Sequence, residues 1–221
     1  MRPTEEADEG AINTIAFLTG FFGDSAEIFF PDRQLFVDLW VKPYLKGFGC
    51  CNHVASEYGH VKGYILGACD TAAYQRYFLR ESLDILRGLF SNRYPRWRLC
   101  LPYLWRLVRF GSRFAPSDLY PAHLHINLLP EVRGRGIGSA LLARYLDCLG
   151  TFGVPGVQLT TTHENRAALK LYQRFGFRLF EEYQSSLWQP WLGRATRHAV
   201  LVRDLSVPTS QDISAGRPAP T

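Results

Sequence analysis

The sequence predicts a single α/β domain, and three features of the chain support this fold class. Runs with strand-like composition follow segments with helical apolar spacing along most of the chain. Two β-rich runs, 52–57 and 61–69, flank a glycine turn and predict a hairpin. A glycine-rich run at 133–138 stands between an apolar strand and an amphipathic helix. With 221 residues, the chain is long enough to bury a sizeable core.

The N-terminal part favours helices ahead of the hairpin. A short first strand near Arg2 leads into a helix over residues 10–23, whose apolar residues have helical rather than alternating spacing. A second helix continues through Trp40 and should end before Pro43, because the residue preceding a proline disfavours helical backbone.

Beyond residue 118, strands and helices alternate. The predicted elements are a strand at 123–129, a helix from 139 to about 149, a strand at 157–162, and two final strands at 177–188 and 198–205. Asn165 caps a further helix, which Gly176 ends. We therefore expect one domain over residues 1–205. The tail 206–221 has few apolar residues and is predicted to be disordered.

Segment 71–118 interrupts this pattern with nine arginines, no lysine and three acids. Its aromatic and leucine spacing predicts two helices, the second broken near Pro102. One interpretation is a helical insertion that packs its aromatic residues on the sheet and leaves its arginines outside. The other is a cover over a substrate cleft, whose arginines would favour acceptors with a carboxylate or phosphate. Basic aromatic patches also bind RNA, but no RNA-binding motif accompanies this one.

Composition restricts the possible partners and compartment. A net charge of +5 and a pI near 9.0 suit an anionic ligand, and are too mild to imply nucleic acid. The five cysteines form no C-x-x-C pair and no metal-ligand spacing, so we expect reduced thiols and no bound metal. Residues 1–10 lack a hydrophobic signal core, and no apolar run reaches roughly 18 residues. We expect a cytoplasmic protein without a membrane partner.

The run Arg133-Gly134-Arg135-Gly136-Ile137-Gly138 is the strongest candidate ligand site. Glycines leave backbone N–H groups uncovered at the start of a helix, where the helix dipole favours an anion such as a pyrophosphate. The run lacks the G-x-G-x-x-G spacing of dinucleotide folds and the Gly-Lys-Ser/Thr of a Walker loop. A tight glycine turn without a ligand is the alternative.

This run, continued by Ser139-Ala140-Leu141-Leu142, resembles the acyl-CoA loop of the GCN5-related N-acetyltransferase (GNAT) superfamily. The segment 165–177 is similar to the second signature of that superfamily, Asn-x-x-Ala-x-x-x-Tyr-x-x-x-Gly-Phe. The resemblance is good over residues 119–205 and weak over 1–70.

The resemblance implies the GNAT fold, a strongly bent mixed sheet that splays between the strand ending near Leu129 and the strand starting near Val157. Separated strands leave backbone groups unpaired, and the amide chain of pantetheine can pair with them. Acetyl-CoA is then the co-substrate. The resemblance implies that backbone groups of Leu128, Leu129 and Val132 face the thioester and pantetheine, and that those of Arg133, Gly134, Arg135, Gly136, Ile137, Gly138 and Ser139 face the pyrophosphate. The Arg135 side chain projects either towards solvent or towards the nucleotide phosphate. Asn165, Ala168 and Tyr172 on the following helix complete the implied set.

The implied catalytic groups are Tyr172, His125 and His123. Tyrosine at this place in the family commonly lies by the CoA sulphur, where its hydroxyl can protonate or hydrogen-bond the departing thiolate; a core aromatic is the alternative. His123 and His125 point to one face of their strand. They resemble the paired histidines of the arylalkylamine N-acetyltransferase branch, which remove the amine proton through water. A structural His-x-His strand is the alternative.

Residues 117–131 also resemble the acetyltransferase-like domain of O-GlcNAcase and its bacterial relatives. This adds Asp118 and Tyr120 as candidate substrate contacts. The predicted function is direct acetyl transfer from acetyl-CoA to the amine of a small molecule or peptide, by a monomer or homodimer. The alternative is an acetyl-CoA-binding sensor or interaction module without catalysis.

Overall fold

A seven-stranded mixed sheet flanked by helices forms the protein in the computed structural model, which describes residues 1–46 and 49–205. This confirms the predicted fold class. The elements in chain order are β1 Arg2–Pro3, α1 Glu9–Thr19, α2 Arg33–Trp40, α3 Lys42–Leu45, β2 His53–Glu57, β3 His60–Ala68, α4 Thr71–Phe90, α5 Trp97–Phe110, β4 Ala122–Leu128, α6 Ile137–Thr151, β5 Gly156–Thr162, α7 Arg166–Arg174, β6 Arg178–Ser185, α8 Gln189–Leu192 and β7 Thr196–Asp204. The tail predicted to be disordered, 206–221, lies outside the described residues.

The strand order is β1-β2-β3-β4-β5-β7-β6, and every neighbouring pair except β4–β5 is antiparallel. The parallel β4–β5 pair is short. It joins Ala122 to Val157 and His123 to Gln158, and the strands separate beyond these pairs. The sheet therefore splays where the sequence predicted, and backbone groups beyond His123 have no partner strand on that side.

Side chains at the helix ends fix the positions of several helices. The Asp32 carboxylate accepts a hydrogen bond from the Leu35 amide at 3.0 Å and so begins α2. Asn165 caps α7 in the same manner, with Oδ1 accepting from the Ala168 amide at 3.3 Å. Gly176 follows α7 with φ of +74°, a conformation that glycine adopts without strain. The predicted start and end of α7 are thus present.

Helix α5 runs through Pro102 without the predicted break. A proline inside a helix leaves the carbonyl four residues earlier, here that of Arg98, without its amide partner. Both residues lie on the exposed side of α5, where water can bond that carbonyl. The inner side of the helix packs through Cys100 and Tyr103, both buried, and this packing holds the helix together.

Two apolar cores lie on opposite sides of the sheet. One joins α1, α2 and the inner faces of α4 and α5, with Ile12 and Phe30 fully buried. The other joins α6 and α7 to β4, β5 and β7, with Leu141 and Tyr145 fully buried. None of the described helices has both the length and the apolar character needed to cross a bilayer.

The expectation of five reduced thiols is wrong for four of them. Cys50 is disulfide-bonded to Cys69, and Cys51 to Cys148; Cys100 is free and buried. The chain segment before β2, the end of β3 and the C-terminal part of α6 converge here. Sequence separations of 19 and 97 residues gave no sign of these pairings, because the contacts arise from the tertiary fold.

Candidate active site

A cleft of about 770 Å³ opens where β4 and β5 separate. Its walls come from the turn after α1, from β4 and β5, from the glycine loop, from α7, and from the segment before α8. Ten of the residues predicted for the site line it: His125, Leu128, Arg133, Gly134, Gly136, Gly138, Ser139, Asn165, Ala168 and Tyr172.

The glycine loop forms one end of the cleft. Gly134 and Gly136 have φ of +73° and +78°, and a Cβ built on either would meet no atom within 4 Å. No side chain therefore covers these two positions at the start of α6, where N–H groups without an intrahelical partner bind anions. Arg174 adds a positive charge, and its guanidinium donates a hydrogen bond to Ser139 Oγ at 2.9 Å. None of the residues that line the cleft is acidic. This end fits a pyrophosphate.

Two arginines of the loop have different surroundings. Arg133 lines the cleft and ties the loop to the turn after α1, since its guanidinium donates to the carbonyls of Leu128 at 3.0 Å and Gly23 at 2.8 Å. Arg135 points away from the cleft and pairs with Glu57 of β2 at 2.6 Å, which lowers the pKa of that carboxyl. Of the two directions expected for the Arg135 side chain, solvent or the nucleotide phosphate, the structure has the former, and the backbone of Arg135 remains part of the loop.

Three further residues predicted for cofactor binding do not line the cleft: Leu129, Val132 and Ile137. Val132 is fully buried because it packs beneath the loop, and its side chain has no route to a ligand. Leu129 packs instead against the core beside α1 and α2. Ile137 is half-buried against the core beneath α6.

Tyr172 lies in the wall of the cleft on α7. It is 5% exposed, its ring contacts that of Phe177, and burial raises the pKa of its hydroxyl. No described residue forms a hydrogen bond with that hydroxyl, so it is available to a ligand in the cleft. Ala168 lines the same wall about one helical turn before Tyr172, and Asn165 about two turns before it.

His123 and His125 point to one face of β4, as expected, and meet at Tyr44. The Tyr44 hydroxyl lies 3.0 Å from Nε2 of His123 and 2.9 Å from Nε2 of His125. Thr71 Oγ1 lies 3.2 Å from the other ring nitrogen of His123. Of the two histidines, only His125 lines the cleft. His123 lies behind it and is connected to His125 through the Tyr44 hydroxyl.

The surroundings of both imidazoles disfavour the charged form. Burial, together with the proximity of His125, lowers the pKa of His123 to about 3. Water in the cleft reaches His125, yet the protein atoms crowded around its ring lower its pKa to about 4. Both rings are therefore neutral at pH 7. Each can accept a proton there, but neither has the basicity near pH 6.5 that the sequence alone suggested.

A further part of the cleft, beside the turn after α1, is aromatic. Phe22 and Trp188 contact each other at 5.2 Å, and Tyr103 of α5 lies 5.3 Å from Trp188. All three line the cleft. Phe22 has φ of +53°, which is an uncommon conformation for a bulky residue. In this conformation its ring packs against Trp188. Sequence reasoning missed this group because its members come from three distant segments.

The insertion contributes to the cleft, but its arginines do not. Tyr103 and Ser112 line the wall, whereas no arginine of segment 71–118 does. Arg106 instead donates to the backbone carbonyls of Leu187, at 2.8 Å, and Ser186. It thereby holds the segment that carries Trp188. These arginines do not reach the cleft, so they do not support the expected preference for acceptors with a carboxylate or phosphate.

Residues of β5 and β7 complete the wall, and the sequence analysis did not single them out. Thr160, Thr161 and Thr162 of β5 line the cleft together with His198 of β7. The Thr162 hydroxyl is buried and has no hydrogen-bond partner in the described structure. His198 is held by Thr196 at 3.1 Å and stacks on Tyr183. The run of three threonines was the available signal.

Asp118 and Tyr120 are not substrate contacts in this arrangement. Neither lines the cleft. Tyr120 is 4% exposed, and its hydroxyl forms hydrogen bonds with Asp204 at 3.0 Å and Arg178 at 2.6 Å. Its ring packs under Gly156 at the start of β5, which gives it a structural role.

Comparison with known proteins places this cleft in a known class. Residues 111–177 match the Acetyltransferase (GNAT) family. A mycothiol acetyltransferase from Acidimicrobium ferrooxidans is 40% identical over 60 residues, which are 27% of this chain and 19% of that enzyme. The matched stretch thus spans about a fifth of that relative.

Solved structures agree over nearly the whole chain. The crystal structure of a protein named SsHAT is 26% identical, with a TM-score of 0.68, covering 93% of this chain and 98% of that one. The acetyltransferase yncA from Salmonella typhimurium, solved with acetyl-CoA, is 18% identical with a TM-score of 0.56, covering 95% of each chain. The fold is that of acetyltransferases. Residues 111–177 thus match the GNAT family, and the chain as a whole shares the fold of these neighbours.

Proposed function

We propose that the protein transfers an acetyl group from acetyl-CoA directly to the amine of a small molecule or peptide. The observation that carries this proposal is that one cleft joins an open glycine loop at the start of α6 to the unpartnered hydroxyl of Tyr172. A phosphate site at one end and a proton donor further along match the layout of a long thioester co-substrate.

Each part of acetyl-CoA has suitable groups in the cleft. Backbone amides of Gly134, Gly136 and Gly138 bind the pyrophosphate, with Arg174 supplying charge. The backbone of β4 beyond His123, which has no partner strand on the β5 side, pairs with the pantetheine amides. The co-substrate supplies the activated acetyl group.

Tyr172 stabilises the thiolate that departs. A thiol has a pKa near 8.5, so hydrogen bonding by the neutral hydroxyl helps whether or not the proton is fully transferred. The raised pKa of Tyr172 keeps that proton in place in the free protein. The hydroxyl thus acts on charge that develops only during transfer, which raises kcat rather than affinity.

His125 receives the amine of the acceptor. Its ring borders the cleft and is neutral at pH 7, so it can accept a hydrogen bond or a proton from the amine. Its low basicity means that it passes the proton on, through the Tyr44 hydroxyl or water, rather than retaining it. His123 supports this path from behind as a positioning residue.

The aromatic part of the cleft selects the acceptor. Phe22, Tyr103 and Trp188 offer ring faces, and no acidic residue lines the cleft to pair with an ammonium group. An acceptor with an apolar or aromatic body fits this surface. We expect the enzyme to act in the cytoplasm, where acetyl-CoA is available.

The second candidate function is acetyl-CoA binding without catalysis, as in a sensor or interaction module. The weak basicity of both histidines and the absence of a lining carboxylate favour it. The two candidates differ in turnover, not in binding.

The test has two measurements on purified protein. Calorimetry with acetyl-CoA measures binding, and a thiol-reactive dye measures CoA release with panels of arylalkylamines, amino acids, aminosugars and peptides. Binding with acceptor-dependent CoA release supports the enzyme. Binding with CoA release no faster than hydrolysis, across all panels, supports the module. Absence of binding contradicts both.

A further inference from the structure

Helix α4 carries an apolar stripe that the fold does not bury. Leu79, Leu83, Leu86 and Phe90 follow one another at intervals of four, three and four residues, which places them on one face of the helix. Leu79 is 70% exposed and Phe90 is 91% exposed. The opposite face holds the helix on the core through Tyr74, Ile85 and Leu89, so the stripe is not needed for that packing.

A row of arginines borders the stripe on one side. Arg76, Arg80 and Arg87 are exposed, and none has a carboxylate within 4.0 Å among the described residues. The acids of α4 are already neutralised elsewhere. Glu81 pairs with Lys42 at 2.7 Å, and Asp84 pairs with Arg93 at 2.6 Å. The outer face of α4 is therefore both apolar and positively charged.

Helix α5 has the same composition on its outer face. Leu101, Trp105 and Val108 are exposed there, and so are Arg98 and Arg109. The outer faces of both helices of the insertion thus combine large apolar side chains with arginines, and the two acids of α4 are paired with Lys42 and Arg93.

We propose that the outer face of α4 docks on the surface of an anionic lipid bilayer. Amphipathic helices that lie in the bilayer interface have this composition, with Leu, Phe and Trp entering the acyl boundary and arginines contacting phosphate headgroups. Anionic lipids attract each nearby arginine by about 1 kcal/mol. The expectation of no membrane partner rested on spanning segments, and interfacial docking does not require one.

Charge argues against a second copy of the chain on the same surface. The spacing of the stripe also suits a helix–helix seam, but such a seam needs opposite charges at its flanks. Here Arg80 and Arg87 occupy the flank, and the other flank has Gln75 and Ser82. An antiparallel pair would set arginines against arginines, and a parallel pair would set them against Gln75 and Ser82, which carry no compensating charge. An anionic bilayer supplies the missing negative charge.

The test is co-sedimentation with vesicles of phosphatidylcholine alone and of phosphatidylcholine mixed with phosphatidylglycerol. Wild type should sediment with the mixed vesicles, and far less with the neutral ones. Arg76→Gln/Arg80→Gln/Arg87→Gln should weaken binding by roughly 10²-fold, from about 1 kcal/mol per arginine. Leu79→Gln/Leu83→Gln should weaken binding to mixed vesicles at all salt concentrations, because it removes the apolar part.

A matched control is Leu179→Gln, since Leu179 of β6 is 54% exposed but lies outside the insertion. It should bind mixed vesicles like wild type. Circular dichroism and acetyl-CoA affinity should be unchanged in all variants, which separates this proposal from the proposed enzyme activity. Equal binding to both vesicle types, no binding to either, or stripe variants that bind like wild type would overturn the proposal. So would a wild-type dimer that Leu83→Gln converts to a monomer.

Discussion

The hydroxyl of Tyr44 lies 2.9 Å from Nε2 of His125, and the same oxygen lies 3.0 Å from Nε2 of His123. A hydroxyl has one proton, so it donates to at most one of the two imidazoles, and at least one Nε2 carries a proton and donates to the Tyr44 oxygen. Two neutral rings satisfy this arrangement. Protonation of both rings would place two positive charges side by side around one oxygen in a crowded site.

The first prediction concerns stability against pH. Both histidines have folded-state pKa values, about 3 and about 4, below the ordinary value of 6.5. Keeping the two rings neutral contributes fully to the free energy of unfolding above pH 6.5. This contribution is lost as the pH falls towards 4, because the histidines of the unfolded chain bind protons first. In His123→Gln/His125→Gln, the thermal unfolding midpoint should fall less between pH 6.5 and 4 than it does in wild type. The difference should be roughly 2–4 °C for each kcal/mol of unfolding free energy that wild type loses through these histidines.

Thermal unfolding followed by circular dichroism at a series of pH values measures this. His198, whose pKa is also lowered by burial, should leave a residual slope in the variant. If wild type and variant midpoints change in parallel across this range, the histidines are not held neutral by the fold.

The second prediction concerns Tyr172. Tyr172→Phe keeps the ring, and with it the contact to Phe177 at 5.4 Å, but removes the hydroxyl. Turnover should fall on the order of 10²-fold, as for loss of a positioned acid, while acetyl-CoA affinity stays close to wild type. Steady-state kinetics and calorimetry measure the two quantities. Wild-type turnover would leave Tyr172 as a packing residue.

The third prediction concerns the glycine loop. Gly138 lines the cleft at the start of α6, and its Cβ position has ordinary contacts with Leu128 and Leu171 at 3.5 and 3.6 Å. Gly138→Glu should abolish acetyl-CoA binding, because a carboxylate would occupy the phosphate site. Gly150→Glu is the matched control. Gly150 lies in the same helix and is exposed, and a Cβ built on it would meet no atom within 4 Å. Calorimetry showing equal affinity in both variants would remove the loop from the binding site.

The sequence predicted the parts of this site that local chemistry determines. The glycine loop, the Asn165 cap and Gly176 each depend on backbone conformation within a few residues, and the structure has all three. The opening of the sheet followed from the family resemblance and is present at the short β4–β5 pair.

The missed features depend on contacts between distant segments. The low pKa values of the histidines arise from packing around Tyr44, more than 70 residues away in the chain. The Phe22–Trp188 contact and the Cys51–Cys148 bond join segments that no local pattern relates. Pro102 lies within a helix because Cys100 and Tyr103 pack on the core, and this outweighs the local preference for a break.

The fourth prediction concerns Arg106, which holds the backbone of Leu187 and so positions Trp188. Arg106→Gln should raise KM for the acceptor by roughly 3- to 30-fold, from the loss of a charged hydrogen bond, and leave KM for acetyl-CoA unchanged. Arg109→Gln is the control, because Arg109 is exposed on the same helix and stacks on Phe110. A change in both KM values would show that Arg106 supports the whole cleft rather than its aromatic part.

The fifth prediction concerns the two disulfides. They tie the segment before β2 to the end of β3 and to α6, and the Cys51–Cys148 bond closes a long loop, with a sequence separation of 97. Closing a loop of this size restricts the unfolded chain, and a disulfide typically contributes about 2–4 kcal/mol. Reductant should therefore lower the unfolding midpoint of wild type. Cys69→Ser/Cys148→Ser should begin at the lower midpoint and not respond to reductant, which makes it the internal control.

Alkylation under denaturing conditions, followed by mass spectrometry, reports the thiols directly. Protein unfolded without reductant should take up one alkyl group, at Cys100, and five after reduction. Cytoplasmic reductants keep most thiols reduced, so protein alkylated inside cells will show whether the bonds exist there. Five alkyl groups on purified, air-exposed protein, with no effect of reductant on the midpoint, would show that the cysteines approach each other without bonding.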